Sequence, residues 1–267
     1  MKIVAIIPAR MASVRYPGKI LSFIHGLPII EHVRRRALLS QNLSDVIVAT
    51  CDNEIASVVN KFGGNVVMTS DTHKNGTSRA SEIIDKIDCT HVIVLQGDEP
   101  LLLPRHVDSL IDAINKNLDI HAWNATAPIE DVSELDKKSF VKCAINHIDN
   151  ILYCFRRSPC ISDFTIQKSY IRKLLGIIAY RKDFLIRYSN LSSSLIEKNE
   201  SIEQMRIIEN GYSFKSVPVE PSLPSINVPE DTDIVLKYIE NNYEQKKLLD
   251  TININQNKDD RRIDPTL

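Results

Sequence analysis

Apolar runs alternate with amphipathic helical patterns along the first 100 residues of the chain. The runs predict strands at 2–8, 45–50, 65–69 and 91–96, with helices at about 28–40, 53–62 and 78–87 between them. Such an alternation favours a parallel sheet with right-handed crossovers. The strand segments are rich in Val and Ile without polar alternation, which is typical of strands that helices cover on both faces. The pattern therefore predicts a doubly wound α/β fold.

The pattern is less regular in the second half of the chain. We expect a smaller lobe at about 125–200 within a main domain of residues 1–246. A helix is predicted at 196–210, where a glycine follows as a C-terminal signal, and a last helix at about 230–242. From 247 to 267 the sequence turns polar, so we expect this tail to be flexible.

Composition narrows the possible partners. With 267 residues, of which 43% are hydrophobic and 25% charged, the chain can bury a full core. The formal net charge of −1 gives no overall attraction to nucleic acid or to an anionic membrane, so neither is an expected partner. The N-terminal apolar run is too short for a signal peptide or a membrane span. Five scattered cysteines without a Cys-x-x-Cys pair indicate reduced thiols, and a cytoplasmic location is the resulting expectation.

A basic turn, PARMASVRYPGK, follows the first predicted strand. It carries Arg10, Arg15 and Lys19 at a point where open α/β sheets bind ligands, so these cations are candidates for holding one triphosphate. Arginine forks match phosphate oxygens bidentately, whereas lysine acts as a point charge. A solvated basic loop is the alternative interpretation. Pro17 and Gly18 favour the first interpretation, because they stiffen and tighten the turn.

Two familiar phosphate loops are excluded by position. A P-loop needs a glycine five residues before its Gly-Lys pair and Ser or Thr after it, but Ser13 and Ile20 stand there. No Gly-x-Gly-x-x-Gly sequence follows the first strand either. A different nucleotide chemistry is therefore expected.

Two further polar segments lie near predicted strand ends or helix starts. The sequence QGDEP follows a predicted strand, and its Asp98 is a natural Mg²⁺ ligand, because Mg²⁺ prefers one or two carboxylates plus phosphate oxygens and waters. An ordinary Asp-Glu-Pro turn is the alternative. In NGTSR, Gly76 is predicted in a turn and Arg79 at the opening of a helix. Ligand contact and a plain helix cap by Thr77 or Ser78 are equally compatible with that segment.

The combined motifs resemble those of the 3-deoxy-manno-octulosonate (Kdo) cytidylyltransferases, the CMP-Kdo synthetase family. The segments PARMASVRYPGK, NGTSR, LQGDEP, LGIIAYR, SIEQMR and NVPED occur in the family's order and at similar separations, over about residues 1–242. The resemblance implies a GT-A-like, Rossmann-type nucleotidyltransferase with a mainly parallel sheet, dimeric through its smaller lobe. It also implies Mg²⁺ as cofactor, CTP and a sugar acid as substrates, and a product used for lipopolysaccharide.

The resemblance also implies roles for individual residues. Triphosphate contacts are expected from four residues of the opening turn: Arg10, Ser13, Arg15 and Lys19. Cytidine contacts are expected from Arg79 and Gln96, and metal ligation from Asp98 and Asn227. Contacts to the sugar acid are expected from a later helix: Glu197, Glu200, Glu203 and Gln204. The expected catalytic residues are Lys19, Arg10 and Asp98.

The chain departs from the family pattern at several positions. Asn227 stands where the family has its second metal-binding aspartate, and an amide oxygen ligates Mg²⁺ more weakly than a carboxylate. Leu174 and Ile178 replace a usual His and Tyr that face the sugar, and Ser78 replaces a common Glu. Two alternatives to a Kdo enzyme follow. The acceptor can be a different sugar acid, an amino-sugar acid or a phosphonate, or the protein can be a CTP-binding regulator without turnover.

Overall fold

The structure, a computed structural model, describes residues 1–259, with side chains as far as residue 254. Its strands are β1 Ile3–Ala9, β2 Phe23–Ile24, β3 Leu27–Pro28, β4 Asp45–Thr50, β5 Asn65–Met68, β6 His91–Leu95, β7 Ala122–Pro128, β8 Lys142–Ile145, β9 Ile151–Phe155, β10 Ile171–Arg181 and β11 Phe214–Pro218. Its α-helices are α1 Ile29–Ala37, α2 Asn53–Lys61, α3 Gly76–Ile83, α4 Pro104–Lys116, α5 Phe164–Gln167, α6 Lys182–Ser189, α7 Leu195–Glu200, α8 Met205–Glu209, α9 Asp231–Asn241 and α10 Tyr243–Asp259. No helix in this part of the chain is both long and apolar enough to cross a membrane.

The chain divides into two compact units. The first unit comprises Val4–Ile83, Leu95–Pro104 and the C-terminal segment from Leu223. Its strands β1, β4 and β5 are parallel, with Ala9 opposite Thr50 in the register of β1 and β4. Nearly all of β1 and β4 is buried, as their Val- and Ile-rich sequences require. A hydrophobic cluster that includes Leu101 and Ile226 joins α9 to this core.

Helix α10 packs on the first unit through buried polar side chains. The guanidinium of Arg36, fully buried on α1, donates to Gln245 Oε1 at 2.7 Å. Arg35 Nη1 donates to the carbonyl of Ile252 at 2.9 Å. The structure thus differs from the flexible tail expected for 247–267, because these contacts hold a helix that continues to Asp259. The part of that prediction covering 260–267 lies outside the described residues.

The second unit comprises Met1–Ile3, Ile84–Val94 and Arg105–Ser222. Its strands lie in the order β11-β7-β10-β6, with β8 on β10 and β9 on β8. Here β11 and β7 are parallel, whereas β7 and β10, β8 and β10, and β8 and β9 are antiparallel. The predicted α/β class with a mainly parallel sheet is confirmed, and the lobe expected at 125–200 falls within this mixed unit.

Three local predictions differ from the structure. The helix predicted at 196–210 is two helices, because Ser201 ends α7 in the left-handed region at φ 54° and α8 begins only at Met205. Helix α3 begins at Gly76 and passes into a 3₁₀ turn, Ile84–Lys86, rather than spanning 78–87. Helix α4 has no counterpart among the predicted helices.

Candidate active site

The basic turn forms a closed loop in the first unit, here called the basic loop (residues 10–19). The carbonyl of Met11 accepts hydrogen bonds from Ser13 N at 2.9 Å and Gly18 N at 3.0 Å, which closes the loop on itself. Gly18 has φ 72°, in the left-handed region that favours glycine. The loop is anchored by Tyr16, which packs against the hydrophobic cluster, while its hydroxyl lies 3.0 Å from Ser22 Oγ.

A carboxylate from outside the loop holds its neck. Met11 N donates to Asp52 Oδ2 at 2.8 Å. Asp52 stands two residues beyond β4, and its own backbone N–H donates to Thr50 Oγ1 at 3.1 Å. The start of the basic loop is therefore fixed to the carboxyl end of the neighbouring strand.

Lys19 is buried and engaged on two sides. Its Nζ lies 2.5 Å from Asp98 Oδ2 and 2.7 Å from the carbonyl oxygen of Ile226. Ile226 N in turn donates to the carbonyl of Asp98 at 3.0 Å. The structure thus brings together the predicted phosphate-binding lysine, the predicted metal ligand and the segment that leads to Asn227.

The same segment meets the exposed tip of the basic loop. Arg15 Nη2 donates to Asn227 Oδ1 at 2.9 Å. The amide is oriented by Ser225, whose Oγ accepts from Asn227 Nδ2 at 2.9 Å. Asp231 Oδ2 accepts from Asn227 N at 2.7 Å and from Val228 N at 3.0 Å. Asp231, at the first turn of α9, therefore fixes the backbone that presents Asn227 to Arg15.

The remaining predicted residues of the basic loop lie nearer to solvent. Arg10 is exposed directly after β1. Ser13 is half-buried, and its Oγ accepts a long hydrogen bond of 3.4 Å from Tyr16 N. Arg10 and Arg15 thus keep accessible guanidinium groups, whereas Lys19 is already held in place.

Gly76 and Gly97 let the NGTSR and QGDEP segments approach Pro8, near the end of β1. A Cβ at Gly76, the first residue of α3, would lie 2.8 Å from Pro8 Cγ and 3.6 Å from Gln96 Nε2. A Cβ at Gly97 would lie 3.4 Å from the Pro8 carbonyl oxygen and 3.3 Å from Ile20 Cδ1. The structure therefore brings the NGTSR and QGDEP segments against the strand that opens into the basic loop.

Arg79 is almost fully buried, and its guanidinium donates hydrogen bonds to the two residues that follow β5. Its Nη1 donates to Thr69 Oγ1 and, at 3.1 Å, to the carbonyl of Ser70. Asn75 caps the helix, because its Oδ1 accepts from Ser78 N at 2.8 Å. The alternative interpretation, a cap by Thr77 or Ser78, is wrong, because α3 already begins at Gly76 and Asn75 makes the cap bond.

The predicted sugar-acid residues all lie in the second unit. Glu197 is buried, and its Oε2 accepts from Arg206 Nε at 2.8 Å and from Ser194 N at 3.0 Å. The Arg206 guanidinium also lies 4.7 Å from the centre of the Tyr188 ring. The hydrogen bond to Glu197 is the main cause that raises the pKa of Arg206. Glu197 thus joins α7 to α8, and its predicted contact with the sugar acid stays a prediction.

The other three acceptor-site candidates are arranged around the same helices. Glu200 is exposed, and its carbonyl accepts from Arg156 Nε at 3.0 Å. Glu203 and Gln204 are half-buried in the turn before α8, where the Glu203 carbonyl accepts from the Tyr188 hydroxyl at 2.9 Å. Their predicted roles at the sugar hydroxyls stay predictions.

The donor set at Asp98 fits the way in which Mg²⁺ is bound with a nucleotide. Among the side chains that the structure describes, those of residues 1–254, no group of three or more His, Cys, Asp and Glu is arranged to hold a metal ion. Mg²⁺ commonly takes only one or two carboxylates, with phosphate oxygens and waters completing its octahedron. The partly exposed carboxylate of Asp98 is a ligand of this kind, although its Oδ2 is paired with Lys19, just as the Asn227 oxygen accepts from Arg15.

The parallel strands, the closed basic loop at a strand end and the neighbouring Asp98 define a nucleotide-binding protein of the nucleotidyltransferase class. A cytidylyltransferase family model matches residues 4–217 of the chain. The 3-deoxy-manno-octulosonate cytidylyltransferase of Geotalea daltonii is 35% identical over 248 residues, which cover 89% of this chain and 98% of the relative. The enzyme of the same name from Fusobacterium nucleatum is 37% identical over 91% of this chain and 98% of its own length.

A solved structure gives the same result. The structure described as CMP:2-keto-3-deoxy-manno-octonic acid synthetase complexed with CTP superposes with a TM-score of 0.84 and 35% sequence identity. The match covers 90% of this chain and 99% of that one. The chain therefore belongs to the cytidylyltransferases and, among them, to the 3-deoxy-manno-octulosonate cytidylyltransferase family.

Sequence reasoning missed the two aspartates that hold the site's backbone, Asp52 and Asp231. A signal for Asp52 was present, because it follows the buried strand β4 at its carboxyl end, as Asp98 follows β6. Asp231 is the last residue of the NVPED motif, whose first residue, Asn227, is the candidate metal ligand, and the sequence contains no signal that the motif's last aspartate holds its backbone.

Proposed function

We propose that this protein transfers a CMP group from CTP to a 2-keto sugar acid, 3-deoxy-manno-octulosonate or a similar acid, and releases pyrophosphate. The observation that carries the proposal is the contact of Lys19 with Asp98 beside the Arg15–Asn227 contact. Each of these contacts joins a residue that is proposed to bind phosphate, Lys19 or Arg15, to a residue that is proposed to bind Mg²⁺, Asp98 or Asn227. The relatives' names supply the nucleotide and the acceptor.

The chemistry required is positioning and charge neutralisation. The oxygen of the acceptor hydroxyl attacks the α-phosphorus in line and its proton passes to water. The bond from the α-phosphorus to the oxygen that bridges to the β-phosphate breaks, and pyrophosphate leaves with that oxygen. Arg10, Arg15 and Lys19 bind the phosphate oxygens and neutralise the charge that grows on the leaving group. A Mg²⁺ ion held by Asp98 and phosphate oxygens would supply further charge neutralisation at the α-phosphoryl group.

The direct test is a pyrophosphate-release assay with CTP, Mg²⁺ and a panel of acceptor acids. We expect release that depends on both CTP and one 2-keto sugar acid, with CTP preferred over the other nucleoside triphosphates. CTP binding by calorimetry without pyrophosphate release under any acceptor would favour the CTP-binding regulator instead. The absence of measurable CTP binding would contradict both functions.

A different acceptor is the second candidate, and two side chains of β10 favour it. Ile178 is 2% exposed opposite Asn124, and Leu174 is half-buried opposite Thr126. Neither side chain offers a hydrogen bond to a sugar hydroxyl. The same panel therefore includes other nonulosonic acids, amino-sugar acids and phosphonates, and the ranking of kcat/KM decides between the two candidates.

We further propose that the transfer reaction depends on Mg²⁺, that the protein is a homodimer, and that it is located in the cytoplasm. Apolar side chains support a subunit contact in the second unit, because Ile148 and Leu152 at the β8–β9 hairpin are about half exposed, at 51% and 54%. Light scattering should give twice the chain mass of 30.3 kDa. A monomer mass would contradict the dimer and leave the transfer reaction to the assay above.

A further inference from the structure

We infer that Asp52 is a positioning residue for the proposed transfer, because its carboxylate fixes the neck of the basic loop that carries Arg10, Arg15 and Lys19. The inference rests on the proposed function for the ligand, a nucleoside triphosphate. The contact itself belongs to the protein and does not depend on the nucleotide.

The loop closes on a single residue. The Met11 carbonyl accepts from both Ser13 N and Gly18 N, so two of the loop's internal hydrogen bonds meet there. The Met11 N–H points outward from this closure and donates to Asp52 Oδ2 at 2.8 Å. A hydrogen bond from a backbone N–H to a carboxylate is charge-assisted and therefore stronger than a neutral one. Asp52 thus attaches the loop at the point where its two ends converge, in addition to the contacts that Lys19 and Arg15 make with residues outside the loop.

The sheet register explains how residues 41 positions apart meet. In the parallel pair of β1 and β4, Ala9 lies opposite Thr50. Extending both strands by two residues brings Met11 beside Asp52. The orientation of the basic loop is therefore set by the most deeply buried part of the first unit.

Asp52 is at the N-cap of α2, but its side chain bonds to Met11 N instead of capping the helix. It is the N-cap residue of α2 with φ −102° and ψ 120°, and its carbonyl accepts from Ala56 N at 3.1 Å. Aspartate in this position normally accepts from the first backbone amides of its own helix, which is worth about 1 kcal/mol. Its side chain makes no such cap bond here, because the carboxylate is directed to Met11.

The carboxylate also adds a negative charge at the neck of a loop that is proposed to bind an anion, and this charge weakens that binding. A neutral hydrogen-bond acceptor at residue 52 would not add that charge. Asp52→Asn therefore separates the effect of the hydrogen bond to Met11 from the effect of the negative charge. The amide retains an oxygen that can accept from Met11 N, whereas Asp52→Ala removes the acceptor. A positioning role predicts that Asp52→Ala is impaired and Asp52→Asn largely keeps function.

The test compares wild type, Asp52→Ala and Asp52→Asn, with Asp45→Ala as the matched control. Asp45 begins the same strand and accepts from Val46 N at 2.7 Å, but it lies at the opposite end. Hydrogen exchange of the free protein reports loop order at residues 11–19, calorimetry reports affinity for inorganic triphosphate, and steady-state kinetics report KM for CTP and kcat.

We expect Asp52→Ala to exchange faster at residues 11–19 while the rest of the fold is unchanged. Its affinity for triphosphate should fall about tenfold and its KM for CTP rise about tenfold, the scale of one hydrogen bond to a charged group. The kcat should fall less than KM rises. Asp52→Asn and Asp45→Ala should stay within about threefold of wild type.

Unchanged exchange or unchanged triphosphate affinity in Asp52→Ala would overturn the inference. Equal impairment of Asp52→Asn and Asp52→Ala would also overturn it, because the hydrogen bond would not be the cause. If wild type binds triphosphate but transfers CMP to no acceptor, the proposed function fails while the exchange and affinity data still decide the role of Asp52. If wild type binds neither inorganic triphosphate nor CTP, both the proposed function and the role of Asp52 are contradicted.

Discussion

Lys19 Nζ lies 2.5 Å from Asp98 Oδ2, so a proposed phosphate cation and a proposed metal ligand neutralise each other. The carbonyl of Ile226 holds the lysine from a second direction at 2.7 Å. A bound triphosphate would bring negative charge to Lys19 and a counter-cation to Asp98. Each partner would then exchange the other for a ligand group, without either charge being left buried and unpaired.

The Lys19–Asp98 pair gives the first prediction. Lys19→Ala and Asp98→Asn should each lower kcat by ~10² or more, the scale of losing one preorganised charge at the reacting phosphates. Pyrophosphate release under saturating CTP measures the effect. Lys2→Ala is the control for loss of a lysine, because the Lys2–Asp88 pair at 2.9 Å is exposed. If either variant releases pyrophosphate at the wild-type rate, the proposed catalytic role of the residue it replaces is contradicted.

The positions of the buried parallel strands were predictable from sequence, whereas the loop contacts were not. Runs of Val and Ile locate β1, β4 and β6 to within a residue or two, because a buried parallel strand needs no polar partner. The contact between Met11 and Asp52 depends on the register between two strands, which periodicity within either strand does not reveal.

The helix at the C-terminal end of the described chain was not predictable for a related reason. The polarity of residues 247–267 predicts a flexible tail, but Ile252 within that stretch is buried, as is Gln245 just before it. Two buried positions are too few to produce a hydrophobic pattern. Their importance comes from the buried arginines that they contact, and those arginines were themselves unexpected in a core.

Replacing Asn227 by aspartate gives the second prediction. The substitution adds a carboxylate beside Asp98, so the apparent affinity for Mg²⁺ should tighten if residue 227 reaches the metal. Arg15 opposes this gain, because its guanidinium already binds Asn227 Oδ1 at 2.9 Å and would pair with the new charge. Binding of Mn²⁺ in the presence of CTP, counted by electron paramagnetic resonance, measures both affinity and stoichiometry.

Asn227→Ser is the matched variant for that measurement, since it shortens the side chain without adding charge. Identical Mn²⁺ binding by wild type and Asn227→Asp would place residue 227 outside the metal's coordination sphere. Its role would then be the contact with Arg15, and Asn227→Ser should raise the KM for CTP.

The third prediction concerns the attachment of α10. Gln245→Leu should lower the free energy of unfolding by about 2 kcal/mol, because it removes a hydrogen-bond acceptor from the buried Arg36 guanidinium. Burial lowers the pKa of Arg36 to about 10, which reflects how few groups compensate its charge. Urea denaturation measures the change, and Asn241→Ala on the exposed face of α9 is the control. Equal stability of Gln245→Leu and wild type would mean that α10 contributes little to the first unit.

The fourth prediction concerns acid stability and His32. Burial lowers the pKa of this imidazole to about 4, with Arg36, His25 and Arg35 as further causes, although the hydrogen bond of Nε2 to the Ile24 carbonyl at 2.7 Å opposes the shift. His32 is therefore neutral in the native state, whereas in the unfolded chain it binds a proton below its usual pKa of about 6.5. The unfolded state then carries more bound protons, so stability falls as the pH decreases from about 6.5 to about 4 and levels off below that.

The size of this effect is up to about 3 kcal/mol, at about 1.4 kcal/mol for each unit of pKa difference. The lowered pKa values of His91 and His121 act in the same direction, so the wild-type curve alone does not isolate His32. His32→Gln retains a side-chain N–H donor for Ile24 and removes the titration. Urea denaturation between pH 7 and pH 4 should therefore show a smaller loss of stability in His32→Gln than in wild type, while His147→Gln, at an exposed position, follows wild type. Parallel curves for His32→Gln and wild type would show that this histidine does not govern the acid sensitivity of the fold.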